Sequence, residues 1–187
     1  MKEVSDRTKS IAKKGCCLLS LLLLAVLVLP VGKVNLVQVK QVKTQVVLKD
    51  LTHGISGFRT EYNLYPLGNP TMQDDLKLES SGDLLRILMG EALGEFNPRK
   101  ITYIEPPPAK DGKLGLTDDN RVLDAWGNPY IIMLDTNHDG RLTNPDFKNT
   151  DPEIRKDAPA ELPFGVIVYS RGKDGIEGTK DDVVSWR

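Results

Sequence analysis

The sequence predicts an α+β protein in which one long N-terminal helix packs on a small antiparallel β-sheet. Three observations carry that expectation. An uncharged run over 16–32 leads without a break into apolar positions spaced three or four apart, Val34, Val37, Val39, Val42, Val46, Leu51, Ile55 and Phe58, which is the period of a helix. Three short β-rich segments, 130–134, 165–169 and 183–186, lie late in the chain and are separated by Gly/Asp turns. No helical pattern alternates with them, which argues against parallel βαβ units. A chain of 187 residues with 40% apolar content has the material for one main folded domain.

The elements follow in order. Residues 1–15 form a basic leader: 1–14 carry +3, which leaves −4 for the rest of a chain whose net charge is −1. The mildly acidic remainder has no clustered Lys/Arg face, which excludes nucleic acid as a partner. Residues 16–32 are the membrane-directed segment, 17 residues without a charge. As a helix they span roughly 26 Å at about 1.5 Å per residue, so crossing a hydrocarbon core of ~30 Å requires the helix to continue. A cleaved secretory signal, a plain anchor and a prepilin-type leader all fit such a segment. Pro30-Val31-Gly32 is a poor signal-cleavage site, and Cys16 and Cys17 begin the run, whereas a lipoprotein cysteine ends it. The basic leader predicts 1–14 in the cytoplasm and the rest outside. One helix is predicted from 16 to about 62, kinked at Pro30 and weakened at Gly54 and Gly57, with Gln38, Lys40, Gln41, Lys43, Thr44, Gln45, Lys49 and Asp50 on an exposed face.

Tyr65-Pro66 and Gly68-Asn69-Pro70 end that helix. Ser80-Ser81-Gly82-Asp83 can cap a short helix over 84–93, and Pro106-Pro107-Pro108 with Asp111-Gly112 marks an extended loop. Trp126 and Trp186 read as core anchors. Residues 33–187 therefore form the folded part, and its two acidic turns carry the chemistry.

The first turn, 135–146, places Asp135, Asn137, Asp139, Thr143 and Asp146 at positions 1, 3, 5, 9 and 12 of a calcium loop, with the Arg141 carbonyl at 7 and Gly140 at 6. Calcium takes six to eight hard oxygens, which this run can supply. Asp146 replaces the usual long Glu at position 12, as in the calcium loops of dockerins, and Pro145 disfavours a helix directly after the loop. The same residues are also ordinary turn formers. At the ~10⁻⁴–10⁻³ M affinities of extracellular modules, millimolar calcium adds only ~0.4–1.4 kcal/mol. The second turn, 170–182, brings Asp174 and Asp181 seven residues apart around Gly175 and Gly178. Its chemistry alone leaves a solvated turn as the simpler reading. Neither His53 nor His138 stands near a nucleophile signature, and no Gly-rich phosphate loop occurs, so no enzyme is expected.

Lys13-Lys14-Gly15 before the apolar run, Glu61-Tyr62-Asn63-Leu64-Tyr65-Pro66, Asp124-Ala125-Trp126-Gly127-Asn128-Pro129-Tyr130 and the ending from Ser170 to Trp186 occur in one order. Together they resemble the major pseudopilins of bacterial type II secretion, the general secretion pathway protein G family of type IV pilin-like subunits. The resemblance implies a pilin-like fold and cleavage by prepilin peptidase between Gly15 and Cys16, followed by methylation of the new first residue. It also implies an inner-membrane anchor in lipid, a periplasmic C-terminal domain, and assembly with other pseudopilins on the secretion assembly platform into a periplasmic pseudopilus. A calcium ion on Asp174, Asp181 and backbone carbonyls near Arg171 is implied as well. The chain departs from that family in four places: Ser20 stands where the family carries an intramembrane Glu, Cys16 where Phe or Met is usual, Pro30 comes early, and 135–146 looks like an insertion. The missing Glu leaves a tip or accessory position open. The alternatives from other classes are a monomeric exported calcium-binding module and, more remotely, a metal-dependent hydrolase.

Overall fold

The computed structural model describes residues 36–67 and 75–187. The leader, Gly15, Cys16, Ser20, the apolar run and Pro30 lie outside these residues, and among those described no helix is long and apolar enough to cross a membrane. Helix α1 runs as Leu36–Tyr62 and closes at Asn63, whose φ of +55° turns the chain out of the helix while its N–H donates to the Arg59 carbonyl at 2.8 Å. Strand β1 is Leu76–Glu79 and helix α2 is Gly82–Leu88. The pair β2 (Gly115–Leu116) and β3 (Val122–Leu123) comes next, then β4 (Ile131–Leu134). Strand β5 (Leu142–Thr143) precedes a 3₁₀ turn over Pro145–Lys148 and helix α3, Pro152–Arg155. Strands β6 (Glu161–Leu162), β7 (Val166–Ser170) and β8 (Val183–Val184) complete the order.

The main sheet is antiparallel throughout, in the order β1-β4-β7-β8. Ile132 pairs with Val168 and Leu134 with Val166, which sends these four side chains to the face that meets α1 and α2. The alternate residues, Ile131, Met133, Ile167 and Tyr169, point the other way and pack with Leu142, Leu162 and Val184. Every residue of β4 and β7 is buried, because the segment from β5 to β6 covers the sheet face opposite the two helices. This explains why the two central strands read as continuous apolar runs. The core lies within the unit formed by residues 40–187.

The buried face of α1 is Thr44, Leu48, Leu51, Gly54, Ile55 and Phe58. The predicted stripe therefore holds only in its second half: Val42 and Val46 are 64% and 55% exposed, while Thr44, assigned to the outer face, is fully buried. Its hydroxyl accepts the Ala125 N–H at 3.2 Å and its carbonyl accepts the Tyr130 hydroxyl at 3.2 Å, so a polar residue is satisfied at a position that hydropathy alone gives to solvent. Gln45 is likewise drawn in, donating to the Val184 carbonyl at 3.1 Å.

Several local expectations are corrected. The short helix ends at Leu88, five residues early: Met89 is its C-cap, with its N–H still donating to the Leu85 carbonyl at 2.8 Å, and Gly90 then turns the chain away at a φ of +99°. Ser81 is its N-cap by position but makes no side-chain cap bond, and Ser80 is turned inward to donate to the Val122 carbonyl at 2.7 Å and accept the Tyr130 N–H at 2.9 Å. Pro145 starts a 3₁₀ turn, since its missing N–H is no loss at a first helical position and Asn144 caps the turn. Trp126 and Trp186 are partly buried at the margins of the two core clusters.

Gly54 and Gly57 do not interrupt α1; they let the 101–107 loop lie against it. A Cβ at Gly54 would press into Ile104 Cγ2 and stand 3.3 Å from the Tyr103 carbonyl, whereas at Gly57 the closest atom is Tyr103 Cδ1 at 3.3 Å. Gly54→Ala is therefore expected to cost about 1–3 kcal/mol through overpacking, against a helix-propensity gain of about 1 kcal/mol. Gly57→Ala is expected to lose less. Thermal melting of both variants checks this, and a rise in melting temperature for Gly54→Ala contradicts it.

Candidate metal-binding turns

Both acidic turns leave from ends of the main sheet. After β4, the Asp135 N–H donates to the Gly165 carbonyl at 3.0 Å, extending the β4–β7 pairing by one residue, and the chain then reverses. His138 at φ +61° and Gly140 at φ +77° make the reversal. Asp135 Oδ2 accepts the Gly140 N–H at 3.1 Å, Asn137 Oδ1 accepts the Asp139 N–H at 2.9 Å, and Asp139 Oδ1 accepts the Arg141 N–H at 2.8 Å. The Arg141 guanidinium points outward to Glu161 at 2.9 Å, and the exposed His138 ring stacks 6.5 Å from Tyr65.

Asp135, Asn137, Asp139 and Arg141 are thus brought into one turn, and Asp146 is placed elsewhere. Asp146 is 3% exposed; its Oδ2 accepts from Trp186 Nε1 at 2.9 Å and Arg187 Nε at 2.8 Å, and its Oδ1 from Asn149 Nδ2 at 3.0 Å and Arg187 Nη2 at 3.2 Å. The three bonds from Trp186 and Arg187 tie the segment after β5 to the chain after β8. A pattern of loop positions cannot reveal them, because these donors lie 40 and 41 residues away.

The second turn joins β7 to β8. Gly172, Gly175 and Gly178 all have positive φ, and at Gly172 a Cβ would collide with Asp181. Asp181 Oδ2 accepts the Asp174 N–H at 3.1 Å and the Lys173 N–H, while Oδ1 accepts the Thr179 hydroxyl at 2.8 Å. Burial alone raises Asp181, but the Thr179 hydroxyl, these N–H groups and the adjacent Asp174 carboxyl hold it below its ordinary value. Asp182 moves the other way, to about 6: burial raises it, the Gly178 and Thr179 N–H groups oppose that, and the charges of Asp181 and Asp174 add to the rise. The side chain of Arg171 pairs with Glu79 at 3.1 Å.

Two residues outside the predicted sets organise this turn. Asn128 Nδ2 donates to the Gly172 carbonyl at 2.7 Å, and Asp124, fully buried, accepts the Ser170 hydroxyl at 2.5 Å. Asp124 also accepts the N–H groups of Trp126, Gly127 and Asn128 at 2.8–2.9 Å. Asp and Asn around a Gly are the available signal in the sequence, but it marks a turn without showing what the turn holds.

Among the described residues no group of three His, Cys, Asp or Glu side chains forms a ready metal centre. The donor chemistry still fits a hard cation. In the first turn Asp135 Oδ1 is buried with no hydrogen-bond partner among the described residues, and in the second the charges of Asp174 and Asp181 bear on Asp182. No protein family, curated protein or solved structure matches the chain in comparisons with known proteins.

The raised Asp182 sets a sign for pH. Below the ordinary Asp value both folded and unfolded chains are protonated there; between about 4 and about 6 the folded chain keeps a proton that the unfolded chain releases, so this contribution to stability falls as pH rises. Melting temperatures in chelator are expected to show that loss in the wild type relative to Asp182→Asn. A difference between the two proteins that grows with pH in the opposite sense contradicts the assignment.

Proposed function

We propose that the chain is a pseudopilin-like, non-enzymatic structural subunit of a type II secretion or related type IV pilus machine. In this reading residues 16–32 anchor it in the bacterial inner membrane, 33–187 form a pilin-like periplasmic domain, and prepilin peptidase cuts after Gly15. Other pseudopilins and the inner-membrane assembly platform are its partners, and calcium stiffens the turns at 135–146 and 171–182.

The observation that carries the reading is the division of α1. One side of this unbroken 27-residue helix is buried on an antiparallel sheet, while Val42 and Val46, one turn apart, stay exposed on another side. A helix of a self-sufficient domain has little reason to keep such a row in water, and a helix that packs on neighbouring subunits needs one. The uncharged run and Lys13-Lys14-Gly15 upstream of it support the same reading.

A photo-crosslinking residue at Val42 or Val46 in the native bacterium tests this. The expected result is a ladder of adducts joining this chain to itself or to other pilin-like subunits, with none from the exposed Lys113. No adduct, or the same pattern from all three positions, contradicts assembly through α1 and favours the monomeric calcium module.

A further inference from the structure

Asp135 is left chemically incomplete by the fold. It is 2% exposed, its Oδ2 is held by the Gly140 N–H, and its Oδ1 has no hydrogen-bond partner among the described residues. Both oxygens belong to one carboxyl, so the incomplete one lies inside the same 135–140 turn. A buried carboxylate oxygen without a donor is costly unless a cation or proton meets it.

The β1–β4 register supplies a neighbour. Leu76 lies opposite Leu134 in the last pair of that ladder, and Asp75 and Asp135 are the next residues on the two chains. Carboxylates placed at adjoining strand ends repel one another. The Asp135 N–H and the Tyr65 hydroxyl both donate to the Gly165 carbonyl, at 3.0 and 2.8 Å, and Arg59 lies over the Tyr65 ring, 4.8 Å from its centroid. Asp75 also lines a cleft of about 320 Å³ together with Asn137, Asp139 and Glu161.

We propose that Asp75 is a ligand of the calcium ion held by the 135–141 turn. It supplies from β1 the distant carboxylate that loop spacing assigns to Asp146, whose oxygens are engaged by Trp186, Arg187 and Asn149. On binding, the ion draws together the carboxylates of Asp75, Asp135 and Asp139, which do not stand as a ready three-carboxylate centre without it, with the Asn137 amide oxygen, the Arg141 carbonyl and water completing the six to eight oxygens calcium takes. The assignment rests on the calcium reading of that turn. It gives the ion a mechanical role as well, since it would join β1 to the end of β4.

The test uses the full-length chain in detergent, with calcium chloride as the probe, read by calorimetric titration and by melting in calcium and in chelator. Asp75→Asn and Asp135→Asn are each expected to weaken one class of calcium site at least ten-fold. The Asp75→Asn melting temperature should fall further below the wild type in calcium than in chelator; a residue that is merely structural would lose the same stability in both media. Loss of the site in Asp135→Asn with full retention in Asp75→Asn overturns the assignment and leaves the calcium reading of the turn standing. Unchanged binding in both variants, or none in the wild type, overturns both. An equal loss of melting temperature for Asp75→Asn in calcium and in chelator overturns the assignment, as does loss of binding in Asp75→Asn alone.

Discussion

The buried carboxyl of Asp124 is the constraint on which the rest of the domain depends. One oxygen gathers three consecutive N–H groups and so shapes the turn that feeds β4; the other accepts the Ser170 hydroxyl at the end of β7. Ser170 Oγ in turn accepts the Gly172 N–H, and Asn128, held by the same carboxyl, grips the Gly172 carbonyl. The adjoining Ala125 N–H reaches Thr44 on α1. A single fully buried acid therefore relates helix, sheet and the 171–182 turn. Removing a group that satisfies several buried donors leaves each with its desolvation penalty, about 1–3 kcal/mol apiece.

Around that hub the central strands are covered on both faces, by α1 and α2 on one and by the β5–β6 segment on the other. The second cover is held by Leu142 and Leu162 beneath it and by the Asp146 bonds to Trp186 and Arg187 at its rim. The acidic turns are thus not loose appendages. Each begins at a strand end whose partners are buried, and the second is also tied to β1 by Lys77–Glu177 at 2.6 Å and Arg171–Glu79 at 3.1 Å. These exposed pairs are worth at most about 1 kcal/mol each. The hydrogen-bonded backbone holds the turns, and a cation at either would act on a frame already built.

What the sequence made legible divides along physical lines. The helix on a small antiparallel sheet was readable because β4 and β7 are dense apolar runs and Leu48 to Phe58 keeps a helical period. Strand β1 was not, since Leu-Lys-Leu-Glu is too short to stand out from a loop, and with it the neighbour Asp75 was hidden. Thr44 and Gln45 misled because hydropathy scores residues singly, whereas their polar groups are satisfied by Ala125, Tyr130 and Val184 across 81 to 139 residues of chain. The composition of the turns at 135–141 and 174–181 could be seen, but the long-range partners of Asp146, Asp124 and Asn128 could not, because spacing along the chain carries no record of them. The Val42 and Val46 row was legible as apolar, but the helical period alone does not show which part of the stripe the sheet covers.

In the proposed reading the uncharged run meets lipid, the Val42 and Val46 row meets neighbouring subunits, and a pilin-type processing step precedes both. The most direct measurement is the intact mass of the protein extracted from membranes of its native bacterium. The account predicts a chain beginning at Cys16 and carrying one added methyl group. A chain that retains residues 1–15, or one cut near Gly32, contradicts it.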